Sequence, residues 1–154
     1  MNARNLKYGA YAGLAGGVVF GMMMAMMGVL PMIGKMVGAP SAGMGFLVHM
    51  VISAAIGASF AVILGRSVRR AATGIWRGLI YGAFWWMLGA LTLMPVFLGM
   101  GPQWSADAAM KALPSLMGHL VYGAILGAGY AWLRRRAETN AREAPFSVRG
   151  AVRH

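Results

Sequence analysis

Residues 49–61 read His49-Met50-Val51-Ile52-Ser53-Ala54-Ala55-Ile56-Gly57-Ala58-Ser59-Phe60-Ala61, and residues 119–131 read His119-Leu120-Val121-Tyr122-Gly123-Ala124-Ile125-Leu126-Gly127-Ala128-Gly129-Tyr130-Ala131. Laid over one another, they match at His49 and His119, Val51 and Val121, Ala54 and Ala124, Gly57 and Gly127, Ala58 and Ala128, and Ala61 and Ala131, with Phe60 opposite Tyr130. Neither stretch holds an acidic residue, Lys or Arg. Neither alternates apolar with polar residues as a half-buried strand does. Each is the middle of an apolar run with the roughly 20 residues that a helix needs to cross a bilayer.

Working outward, four such runs are found, at about 8–32, 45–64, 78–100 and 115–133. The separators carry loop chemistry: Lys35 and Pro40, then a basic stretch over 66–77, then Pro102, Asp107 and Pro114. The chain is 59% hydrophobic and 11% charged, against roughly 25% charged residues in a soluble domain. Three acidic residues cannot cover a soluble surface of this size. The expected fold is therefore an all-α membrane protein of four transmembrane helices, with the lipid bilayer as its solvent. The transmembrane domain occupies 1–136, and 137–154 forms a basic, disordered cytoplasmic tail. That tail is free to lie on anionic lipid headgroups. The first run follows Arg4 and Lys7 as a secretory signal would, but it is too long and no small-residue cleavage site closes it.

The net charge of +11 raises nucleic acid as a partner. The cations lie between and after the apolar runs, however, which is a topology pattern and excludes nucleic acid as the expected partner. With the N-terminus inside, the inner segments hold Arg4, Lys7, Arg66, Arg69, Arg70, Arg77, Arg134, Arg135, Arg136, Arg142, Arg149 and Arg153, and the outer loops only Lys35 and Lys111. Both termini are thus expected in the cytoplasm, across a bacterial inner membrane. Cys is absent, so disulfides, thiolate metal sites and Cys nucleophiles are excluded.

The match between spans 2 and 4 extends more loosely to spans 1 and 3, through Gly13 with Gly17, Gly78 with Gly82, and the late prolines Pro31 and Pro95. Two hairpins, about 8–65 and 74–135, then form a parallel repeat about an axis near the membrane normal. In lipid, small residues drive helices together by letting backbones approach. Span 1 offers Gly9, Gly13, Gly17, Gly21 and Ala25 on one face; span 2 Ser53, Gly57 and Ala61; span 3 Gly74, Gly78 and Gly82; span 4 Gly123, Gly127 and Ala131.

His49 and His119 are the only His, Asp, Glu, Lys or Arg side chains inside the four runs as bounded here, and polar groups at that depth are functional candidates. Each heads a strip of small residues: Ser53 and Gly57 after His49, Gly123 and Gly127 after His119. An imidazole beside missing side chains is what a b-type haem between two axial histidines needs. Three other readings compete. The histidines could hydrogen-bond across the bundle and fix its register, hold half of a copper or zinc site, or contact a quinone or lipid. Two axial histidines need separated helices, whereas facing small-residue strips favour contact near the low end of roughly 8–10 Å. Closed zinc coordination wants four ligands, and Asp107 is the only outer carboxylate.

Methionine is abundant, with 15 residues, and Met22, Met23, Met24, Met26, Met27, Met32 and Met36 crowd the outer half of span 1. Thioethers suit Cu(I), and they also fill irregular packing. Trp85 and Trp86 near the middle of span 3 flank a ring-shaped ligand or pack against helices or lipid. The spans hold no Asp or Glu for ion-coupled transport. Ser53 shares a face with His49 but no acid orients the imidazole, and phosphate-loop and zinc-protease motifs are missing. No catalytic residues are expected, and an independent enzyme is not.

The stretch Gly118-His119-Leu120-Val121-Tyr122-Gly123, continuing to Gly127, resembles the last helix of uncharacterised small four-span inner-membrane proteins of bacteria and archaea. The resemblance covers the topology and this Gly-His-x-x-Tyr-Gly stretch, and extends to His49. It implies the architecture and carries no activity. Two functional expectations follow from the sequence as a whole. One is a non-catalytic scaffold or accessory subunit, packing on itself as a homo-oligomer or on a larger membrane complex, a respiratory one included. The other is a small redox or metal-binding protein holding haem b, or copper, between His49 and His119 near the outer face.

Overall fold

The computed structural model describes residues 3–143, and every regular element among them is helical. Four helices are long and apolar enough to cross a membrane: Ala3–Met26, Ala42–Ile63, Ala71–Phe97 and Leu113–Glu143. They form a bundle whose outer surface is apolar, with Leu47, Val51, Ile63, Ile80, Phe84 and Met87 all exposed. That is the surface of a multi-pass membrane protein.

The first span, α1 (Ala3–Met26), stops short of the expected Met32. The chain turns at Gly28, whose φ of +69° a side chain would resist. A short helix, α2 (Leu30–Lys35), then starts with Pro31 in its first turn, where a missing N–H costs nothing. α2 lies across the start of α3 (Ala42–Ile63) at Gly45, where any Cβ would strike the Leu30 carbonyl. Ser41 opens α3 by accepting a hydrogen bond from the Met44 N–H at 3.2 Å.

After a 3₁₀ turn at Gly65–Ser67, α4 (Ala71–Trp85) begins seven residues ahead of the expected 78, so Arg77 sits inside the helix and not in a loop. Beyond Trp85 the winding loosens to π over Trp86–Leu93 before α5 (Met94–Phe97) completes the span. Pro95 accounts for part of this. It has no N–H for the Leu91 carbonyl, and the Gln103 N–H of the following loop donates there instead at 2.7 Å. Trp104 Nε1 donates to Thr92 Oγ1 at 3.0 Å and pins the same loop. Gly99, with φ of +78°, ends the span before the expected Met100.

A short helix, α6 (Ala106–Lys111), leads into α7 (Leu113–Glu143). α7 runs past the expected end at Leu133, and residues 137–143 are helical where a disordered tail was expected. Arg134 pairs with Glu138 and Thr139 Oγ1 donates to the Arg135 carbonyl, both at helical spacing. The rest of the expected tail, 144–154, lies outside the described residues. Arg134 Nη1 also donates to the Gly65 carbonyl at 2.8 Å, satisfying the turn that follows α3.

Glycines set the packing. A Cβ on Gly9 would strike the Gly57 carbonyl, one on Gly13 the Ser53 carbonyl, and one on Gly17 the Ser53 Cβ at 2.6 Å, so α1 lies directly on α3. In the same way Gly74 meets Gly127, Gly78 meets Gly123 and Gly82 meets the His119 carbonyl, joining α4 to α7. α1 also lies on α7, with Gly16 against Tyr122 and Ala12 against Gly129. Phe60, Leu126 and Tyr130 are wholly buried at the centre. Phe60 meets Tyr81 and Tyr130 edge to face at 5.3 and 5.8 Å between centroids, a geometry that aligns ring edges with ring faces.

Candidate functional site

The small-residue strips below the two histidines do not face one another. Ser53 and Gly57 face α1, while Gly123 and Gly127 face α4. This is the arrangement in which a space could open between the imidazoles. The space is taken by Phe20 of α1, which is 5% exposed. Its ring lies 5.3 Å from that of His49 and 4.7 Å from that of His119, edge to face in both cases. Gly118 seats it, since any Cβ there would run into the phenyl ring.

The two histidines are used differently. His49 is 7% exposed, and its Nε2 lies 2.9 Å from the Gly17 carbonyl. A carbonyl only accepts, so Nε2–H donates and ties α3 to α1. Ser53 Oγ stands 3.4 Å from the same nitrogen, a weak contact within one turn. Gly21 makes room for this side chain, because a Cβ there would come 2.6 Å from Phe46 and 3.2 Å from the His49 ring. His119 turns back on its own helix, where Nδ1–H donates to the Ser115 carbonyl at 2.8 Å. Its Nε2 points toward the π-wound segment, 4.0 Å from where a Cβ on Gly89 would stand.

A bis-histidine haem needs two imidazole nitrogens aimed at one iron across the porphyrin plane. The Nδ1–H bond of His119 leaves its Nε2 free, as a ligand would need, but Nε2 of His49 is committed to the Gly17 carbonyl and a phenyl ring packs against both imidazoles. The residues as placed do not fit that group. Nor do they assemble a metal centre, since no set of three or more His, Cys, Asp or Glu side chains converges among the described residues. Met22 and Met26 do share a face, but it is the outward one, at 61% and 89% exposure, away from the histidines. Trp85 packs on Tyr81 and Phe84. Trp86 donates to the Ala112 carbonyl at 3.1 Å, holding the π-wound segment against the start of α7.

Three further residues matter here that the sequence alone assigns no role. Phe20 looked like one more apolar residue of span 1. Tyr122 donates from its hydroxyl to the Ser53 carbonyl at 2.7 Å, a buried bond across the bundle, and its place three residues after His119 was a visible signal. Tyr81 bonds through its hydroxyl to Ser59 Oγ at 2.7 Å and the Ile56 carbonyl at 3.2 Å.

Fold and site together define a four-helix membrane bundle with a plugged histidine pair. No protein-family model, curated protein or solved structure matches the chain.

Proposed function

We propose that the protein is a non-catalytic membrane scaffold or accessory subunit, working as a homo-oligomer or inside a larger membrane complex such as a respiratory one. The observation that carries this reading is Phe20: where a cofactor would sit between the histidines, the chain supplies its own side chain. The backbone hydrogen bonds of His49 and His119 give both imidazoles a structural role, His49 as a tie between α1 and α3. The outward apolar face, which includes Val51, Ile80 and Phe84, is available to lipid or to partner helices.

The paired contacts support an internal repeat. Gly9 on Gly57 corresponds to Gly74 on Gly127, and Gly13 on Ser53 to Gly78 on Gly123. The α1 and α4 partners are shifted by 65 residues (9 to 74, 13 to 78) and the α3 and α7 partners by 70 (57 to 127, 53 to 123), which supports two parallel-repeated hairpins. The twelve-to-two distribution of Lys and Arg supports N-in, C-in insertion in a bacterial inner membrane.

Cross-linking in native membranes, followed by purification and mass analysis, tests this reading. A scaffold yields a fixed-stoichiometry assembly, either of this chain or with another membrane protein. An isolated chain carrying one iron or copper per molecule overturns it.

A further inference from the structure

Three edges of the bundle are closed by small residues: α1 on α3, α4 on α7, and α1 on α7. The fourth edge, α3 with α4, has no such seam. The two backbones stand apart there, bridged by Tyr81 through its hydrogen bonds to Ser59 and Ile56. One turn to either side of Tyr81 on the same face of α4 lie Arg77 and Trp85. Both are half-buried, and both carry a buried nitrogen, Nη1 of Arg77 and Nε1 of Trp85, with no hydrogen-bond partner among the described residues.

A guanidinium inside a membrane span is costly unless an anion or several acceptors meet it. No described residue supplies such an anion. Asp107 pairs with Lys111 at the other end of the bundle, Glu138 pairs with Arg134, and no described acidic residue pairs with Arg77. Arg77 lies six residues into α4, about 9 Å along its axis, at the end that also carries Arg66, Arg69 and Arg70. A long side chain at that depth reaches headgroup level. Deeper in the cleft the neighbours are apolar, with Ile52 one turn from Ile56 toward the other end of α3, and Phe84 beside Trp85 on α4.

We infer that the α3–α4 cleft binds one anionic phospholipid, its phosphate held by the Arg77 guanidinium and its acyl chains running past Tyr81 and Trp85. The planar fork of Arg matches phosphate oxygens two at a time. This edge lacks the backbone contacts that close the three glycine seams, so an acyl chain lying along it meets side chains only.

The test uses the full-length protein in detergent, with phosphatidylglycerol, phosphatidylcholine or inorganic phosphate added, followed by native mass spectrometry and thermal unfolding. Phosphatidylglycerol is expected to remain bound one to one and to raise the melting temperature, while phosphatidylcholine and inorganic phosphate do neither. Arg77→Gln, with unchanged helicity and particle size, should bind phosphatidylglycerol at least about tenfold more weakly. Lys111→Gln, at the other end of the bundle, should bind it as the parent does. Equal binding of both lipids, a shift from inorganic phosphate alone, or a folded Arg77→Gln with parental affinity overturns the assignment. Should Arg77→Gln not fold, a photoactivatable phosphatidylglycerol on the unmodified protein decides: labelling of α3 and α4 at the level of Arg77 to Trp85 upholds the site, and labelling elsewhere removes it.

Discussion

The phenyl ring of Phe20 meets the imidazole of His119 edge to face, with 4.7 Å between centroids. The same ring meets His49 at 5.3 Å, so one apolar residue of α1 holds the two histidines of α3 and α7 in place. Truncating it leaves a void beside both imidazoles. Phe20→Ala is expected to cost about 3–5 kcal/mol, as large-to-small changes at buried aromatics do, measured by unfolding in detergent against the parent. A loss under about 1 kcal/mol would mean that the ring does not pack as described.

The histidines should respond unequally. His49→Ala breaks a bond between two helices, to the Gly17 carbonyl, whereas His119→Ala breaks one within its own helix, to Ser115. His49→Ala is expected to destabilise by about 1–3 kcal/mol and His119→Ala by less. Paired melting curves check the order, and a reversed order would contradict the hydrogen-bond assignment.

Tyr122 tests the diagonal tie across the bundle. Tyr122→Phe removes only the hydroxyl that donates to the Ser53 carbonyl at 2.7 Å. The expected cost is about 0.6 kcal/mol, the usual scale of interhelical bonds inside membranes. Ser53→Ala should leave this bond intact, because the acceptor is backbone.

Gly78 and Gly123 test the seam between α4 and α7. A Cβ on either would overlap the other's carbonyl, and backbone cannot move aside as a flexible side chain does. Gly78→Leu is expected to separate the helices, seen as loss of a monodisperse particle. Gly43→Ala, where a Cβ meets nothing within 4 Å, should be neutral or slightly stabilising, since Ala favours helix over Gly by roughly 0.5–1 kcal/mol.

Much of this fold was legible in the chain because lipid makes backbone approach depend on small residues, and those stand at fixed helical intervals. A Cβ on Gly9, Gly13, Gly17, Gly78 or Gly82 would strike the facing helix, and these glycines stand at four-residue spacing in the sequence. The helix limits were less legible. Hydropathy does not register that Gly28 adopts positive φ or that helix propensity carries α4 back through Arg77 to Ala71. The site was legible only in part. The chain marks His49 and His119 as equivalent, but which nitrogen each uses depends on neighbours from other helices, Gly17 for one and the turn at Ser115 for the other. Nothing in the spacing of span 1 distinguishes Phe20 from its apolar neighbours, and that residue decides what the pair has room to hold. Arg77, Tyr81 and Trp85 do stand at four-residue intervals, a pattern hidden when Arg77 is assigned to a loop.

The most direct test of the central claim is an absorption spectrum of the purified protein, oxidised and then dithionite-reduced, with metal analysis of the same sample. A histidine pair plugged by Phe20 predicts no Soret band, no reduction-sensitive α and β bands, and no stoichiometric iron or copper. A Soret band with one iron per chain, lost in both His49→Ala and His119→Ala, would contradict it and establish a haem between the two helices.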